Sequence, residues 1–98
     1  MATLSTHVLD TAAGRPASGI PVTLLDASGR SLADGVTDGD GRIGSLGGEL
    51  ETGDYRLRFG VDGPFYPEVV VAFRVAADEH HHVPLLLSPF GYSTYRGS

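Results

Sequence analysis

Residues 68–75 read EVVVAFRV, and the parity of this run decides the fold. Val69, Val71, Phe73 and Val75 fall on one side of an extended chain, with Glu68, Val70, Ala72 and Arg74 on the other. Strand side chains alternate between two faces, so the run has the pattern of a half-buried strand, and its valine content disfavours a helix. Working outward, YRLRF at 55–59 opposes Tyr55, Leu57 and Phe59 to Arg56 and Arg58. LSTHVL at 4–9 opposes Leu4, Thr6 and Val8 to Ser5, His7 and Leu9. Further strands are expected near 21–26, 30–37, 42–46, 80–87 and 91–96. Between the runs lie turn signals: AAGRPASG at 12–19, ASG at 27–29, DGDG at 38–41, TGD at 52–54 and VDGP at 61–64. Short strands punctuated this regularly predict an all-β fold, a two-sheet antiparallel sandwich.

The 98 residues leave room for one core, so residues 1–98 are expected to form a single domain. A chain this short keeps much of its surface exposed, which favours an oligomer. Apolar residues make up 41% and charged residues 19%, a globular rather than a disordered composition. Cysteine is absent, which excludes disulfides, thiol nucleophiles and cysteine-held metals. Lysine is absent too, which excludes Schiff-base chemistry. A net charge of −5 without any basic run argues against nucleic acid or an anionic membrane as partner. Neither a membrane-length apolar stretch nor a basic, signal-like start is found, so a soluble cytoplasmic protein is expected.

Candidate chemistry lies in few places. Three of the four histidines are consecutive, and in a strand His80 and His82 share a face while His81 points to the other. A polar strand entrance explains the triplet, and so does a metal pair or an acid–base group. No third ligand stands at an obvious spacing for zinc, so no metal is expected. Histidine can serve as both acid and base near neutrality, and His82 leads directly into the apolar VPLLL run. His7 sits comparably in an otherwise apolar strand, turned away from the Leu4/Thr6/Val8 face. Arg42 follows DGDG and opens a short strand. Asp38 and Asp40 lack the longer ligand series of a calcium loop, and turn formation explains them. At the C-terminus, Ser93 and Tyr95 share one face of the last strand and Tyr92 and Thr94 the other. The residues alone thus give a small sandwich with polar groups on outer faces, short of a reaction.

Several of these segments, in order, carry a resemblance. LSTHVLDTAAGRPA at the start, TDGDGRI, FYPEVVVAF and the closing HVPLLLSPFGYSTYRGS closely resemble the transthyretin-related 5-hydroxyisourate hydrolases over nearly the whole chain. The terminal YRGS separates the hydrolases from transthyretin, the hormone carrier of the same fold. The resemblance implies sandwiches that pair by edge strands into dimers, with two dimers stacked into a homotetramer and the active sites in the channel between them. It implies His7, Arg42 and His82 as catalytic residues, and His7, Arg42, Tyr95 and Ser93 as contacts to the substrate, 5-hydroxyisourate. The implied reaction adds water to a ring carbonyl and opens a C–N bond to give a ureidoimidazoline in urate degradation, with no metal or organic cofactor. In the implied reaction His7 and His82 are expected to move the protons jointly, Arg42 to orient the substrate and stabilise the oxyanion, and Tyr95 with Ser93 to help close the site.

Two features depart from the family pattern. Only Gly60–Pro64 separates Phe59 from Phe65, where family members carry a longer stretch with a short helix, so that helix is expected to be lost or reduced to a turn. His81 stands where tyrosine is usual and is expected to face away from the channel. Two other functions fit part of the chain. GRPASGIPVTLLDASGR followed by TDGDGRI also resembles noncatalytic prealbumin-like modules, which lack the C-terminal segments. A transthyretin-like carrier of an aromatic ligand is the other, and the polar set of His7, Arg42 and Tyr95 argues against it.

Overall fold

A computed structural model describes residues 1–98. Nine strands and no helix make up the fold: β1 (Thr3–Asp10), β2 (Arg15–Pro16), β3 (Pro21–Asp26), β4 (Ser31–Val36), β5 (Arg42–Ile43), β6 (Gly53–Phe59), β7 (Val69–Val75), β8 (His80–Ser88) and β9 (Gly91–Thr94). One sheet runs β2-β1-β8-β9, with β5 also paired to β1, and the other runs β4-β3-β6-β7. Two sheets of alternating pattern bury their apolar faces against each other. Leu4 and Val8 of β1 and Val83 and Leu85 of β8 meet Val22, Leu24, Leu57, Phe59, Val69 and Val75 from the second sheet. The alternation in 55–59 is realised fully, with Tyr55, Leu57 and Phe59 buried and Arg56 and Arg58 in solvent.

One pairing departs from the antiparallel expectation. β1 and β8 lie side by side in parallel, from Thr3 with His80 to Asp10 with Leu87. A parallel pair needs a long crossover. Here the chain supplies it by building the whole second sheet between the two strands. Period-two patterning reports which face a residue takes and carries no information on strand direction. Boundaries shift as well. A two-residue strand, β2, pairs with the end of β1 inside the segment expected as a turn. β5 is limited to Arg42–Ile43, and β9 stops at Thr94, which leaves Tyr95 outside it.

The shortened connection from β6 to β7 closes without a helix. Gly60 N–H donates to the Pro21 carbonyl, Asp62 N–H to that of Pro67 and Gly63 N–H to that of Tyr66. Asp62 adopts φ 48°, a left-handed conformation that aspartate tolerates better than most residues. Phe65, Tyr66 and Tyr92 then pack edge to face, with centroids 4.9 and 5.2 Å apart, so aromatic contacts with β9 tie down the connection.

Thr37 is the buried polar anchor of the chain leading to β5. Its hydroxyl accepts from Ile20 N–H at 2.9 Å and donates to the Ala17 carbonyl at 2.7 Å. Its own N–H and carbonyl bond Ile20 and Gly19. Thr37→Val keeps the shape and orphans both side-chain partners, so it is expected to cost about 1–3 kcal/mol in urea unfolding.

Candidate active site

The outer face of the β1/β8/β5 sheet carries the candidate residues. In β1 this face bears Thr3, Ser5 and His7, because Leu4, Thr6 and Val8 point into the core. The β1–β8 register sets Ser5 beside His82 and His7 beside Pro84, so the two histidines lie one step apart on the same face. On the other side of β1, His7 is the direct partner of Arg42 in β5. Three residues far apart in sequence thus converge on one surface.

The DGDG turn holds two of them. Asp38 accepts the N–H groups of Asp40 and Arg42 at 2.9 and 3.0 Å. Those bonds, aided by the nearby Arg42 and His7, hold its carboxyl below the usual aspartate value. Gly41 has φ +74° and its carbonyl accepts Val8 N–H at 2.7 Å. A β-carbon there would stand 2.5 Å from the Val8 carbonyl oxygen, so the turn fits against β1 only with glycine. His7 Nε2 donates to the Asp40 carbonyl at 2.9 Å, which leaves Nδ1 of the neutral ring as acceptor. The Arg42 guanidinium is exposed and has no ion-pair partner.

His82 is the most constrained of the set. Burial pushes its pKa below the ordinary 6.5, and the neighbouring His7, Arg42 and His80 push the same way against a hydrogen bond with Ser5. It is therefore a neutral base at neutral pH. Its Nδ1 lies 2.7 Å from Ser5 Oγ, which is also 2.7 Å from His80 Nε2. Ser5 is only 8% exposed despite its outer-face position. His81 is turned inward as expected, buried and donating from Nδ1 to the Glu79 carbonyl.

Tyr95 and Ser93 stand apart from this group. Ser93 pairs with Leu86 across the β8–β9 ladder, on the histidine face but further along it, and its hydroxyl makes no hydrogen bond to protein. Tyr95 is exposed and lines a hollow of about 270 Å³ at the open edge of the sandwich, with His82, Arg96, Val71, Phe73 and Arg74. It shares this hollow with His82, and neither His7 nor Arg42 lines it. The tail returns to β8 through Gly97, whose N–H donates to the His82 carbonyl at 2.8 Å.

Residue types alone missed Ser5 and Gly97. Ser5 shares parity with His7, a signal that gains meaning only once β8 is known to lie alongside. Gly97 reads as part of a polar tail, although a β-carbon on it would stand 2.4 Å from His82 Cδ2.

Known proteins of similar sequence and structure share this frame. The chain is 45% identical over 115 aligned positions to the 5-hydroxyisourate hydrolase of Caulobacter vibrioides, which spans all of both chains. It is 49% identical over 114 positions to 5-hydroxyisourate hydrolase 2 of Rhizobium meliloti, covering 97% of this chain and 95% of that one. Both alignments are longer than the 98 residues here, so the relatives carry residues that this chain lacks. The structure of Klebsiella pneumoniae 5-hydroxyisourate hydrolase superposes with a TM-score of 0.90 at 36% identity, over 98% of this chain and 99% of that one. Sea bream transthyretin in complex with thyroxine superposes at 0.87 with 31% identity, over 96% and 93%. The family model described as HIUase/Transthyretin matches residues 4–97. From the first core strand to the tail that closes over His82, this chain belongs to the HIUase/transthyretin family.

Proposed function

We infer that this protein hydrolyses 5-hydroxyisourate, with His7, Arg42 and His82 as its catalytic residues. The observation that carries the reading is their convergence on one outer sheet face, with an unpaired guanidinium beside two imidazoles. A carrier of an apolar hormone has no use for such a face. Both curated relatives compared above are hydrolases, and transthyretin shares the fold at lower identity.

The chemistry follows from the geometry. A neutral imidazole, His7 through Nδ1 or His82 through its outer nitrogen, takes a proton from water as the oxygen attacks a ring carbonyl. Charge collects on the carbonyl oxygen, and Arg42 supplies a permanent positive charge and a fork of donors to receive it. Collapse breaks the C–N bond, and the proton held on imidazole passes to the departing nitrogen. Tyr95 and Ser93 complete the substrate contacts when the site is covered.

Covering comes from further copies of the chain. A single copy leaves the catalytic face open to water, where charge stabilisation is weak. β7 and β9 are unpaired sheet edges at the same side of the sandwich, beside exposed Val70 and Tyr92. Edge pairing into dimers and stacking of two dimers on the β1/β8 faces makes a closed homotetramer with paired sites between the faces.

The test is spectroscopic. 5-Hydroxyisourate generated in the cuvette from urate should lose its ultraviolet band faster with the protein than in buffer, and light scattering should give a tetramer. Decay at the buffer rate from folded tetramer overturns the hydrolase assignment in favour of a binding role. A monomer at working concentration overturns the shared-face site.

A further inference from the structure

We propose that Thr3, His80 and Ser5 form a proton wire that connects His82 to solvent. This rests on the hydrolase reading and adds to it a route that keeps His82 neutral: the ring releases a proton at Nδ1 as it gains one at Nε2, and the wire runs back when Nε2 gives its proton to the departing nitrogen. Thr3 Oγ1 lies 2.6 Å from His80 Nδ1, Ser5 Oγ lies 2.7 Å from His80 Nε2, and the same Ser5 Oγ lies 2.7 Å from His82 Nδ1. The parallel register creates the path, because it sets Thr3 against His80 and Ser5 against His82, so that side chains from the two strands alternate. His80 is exposed in the single chain and, with Thr3, opens its strand at the rim of the face that stacking covers, while Ser5 is buried beneath the two rings, so the path runs from that rim inward.

A hydroxyl between two imidazole nitrogens donates to one and accepts from the other. The wire therefore has two directions. In one, His82 Nδ1–H donates to Ser5, Ser5 donates to His80 Nε2, and His80 Nδ1–H donates to Thr3. His82 then presents an unprotonated Nε2 to water. When that nitrogen takes a proton, the Nδ1 proton moves to Ser5, the serine proton to His80 Nε2, and the His80 Nδ1 proton out to Thr3 and bulk water. One proton enters at Nε2, one leaves at the surface, and no bond other than O–H and N–H changes. His80, Ser5 and Thr3 touch no reacting atom and act through His82.

His80→Ala removes the solvent end and leaves Ser5 on His82. The expected result in dilute, non-transferring buffer is a fall in kcat of about tenfold with KM little changed, restored by added imidazole. Ser5→Ala should fall similarly, and Ser5→Thr, which keeps the hydroxyl, should recover. Nitrogen NMR of labelled histidine, without substrate, gives a second reading: Ser5→Ala should shift both His80 and His82 while His81 stays fixed. Full kcat in both alanine variants, or a His80→Ala loss that imidazole leaves untouched, overturns the wire. Wild-type protein without hydrolase activity defeats the hydrolase reading instead, and the shared NMR shift still tests the bridge.

Discussion

Replacing His82 with alanine is expected to lower kcat for 5-hydroxyisourate by about 100- to 10,000-fold, the range that positioned proton transfer contributes. The ring lies on the outer face, away from the clustered core residues, so the fold should survive its removal. Burial and three neighbouring cationic or titratable groups keep the imidazole neutral, which sets the pH dependence. In wild type the acid limb of kcat/KM should lie below pH 6.5, because His82 stays unprotonated there after an ordinary histidine has charged. Stability follows with a definite sign. The unfolded chain takes up this proton near 6.5 and the folded chain only lower, so stability attributable to neutral His82 is complete above 6.5. It declines as pH falls through the window between the two values and levels off below the folded one. His82→Ala should flatten that part of the profile in urea titrations. A variant that keeps wild-type kcat would move the base to His7 alone.

The sandwich was legible because its core positions alternate cleanly. Leu4, Thr6 and Val8 point inward with Tyr55, Leu57 and Phe59, as their parity requires, and a one-residue slip would put arginines in the core. The shortened 60–68 connection was legible only beside the family pattern, because Gly60–Pro64 alone separates Phe59 from Phe65 where the resemblance implies a longer stretch with a helix. What parity cannot give is pairing. Nothing in LSTHVL or HHHVPLLLS states that the two strands run side by side in parallel, and the site depends on that neighbour relation. His80 therefore read as a polar strand entrance and Ser5 as an outward serine, although the two lie 2.7 Å apart in one hydrogen bond and Ser5 is 2.7 Å from His82 in another. Asp38 and Asp40 were legible as turn formers, but the docking of their turn onto His7 through the Asp40 carbonyl was not.

Gly97→Ala is expected to lower kcat by about 100-fold, the scale of a misplacement near 1 Å in a catalytic group. An alanine β-carbon at this position would stand 2.4 Å from His82 Cδ2, 3.0 Å from Cγ and 3.1 Å from Cβ. Those atoms belong to the ring and its root, so rotating the distant end of a flexible side chain gives no relief. Either the imidazole swings away from Ser5, breaking the 2.7 Å contact, or the tail lifts from β8 and loses the 2.8 Å bond from Gly97 N–H to the His82 carbonyl. Both outcomes misplace the base or uncover it. The glycine is not needed for backbone conformation, because positive φ occurs at other glycines and not here. Its role is to be small. Gly91→Ala is the matched control, since a β-carbon there meets only Ser88 Oγ at an ordinary 3.5 Å. That variant should keep wild-type kcat. The urea midpoint should hardly move in either, because a chain terminus can lift without disturbing the core. Equal kcat in the two alanine variants would show that the tail yields at no cost to the site, and His82 would then owe its position to Ser5 and burial alone.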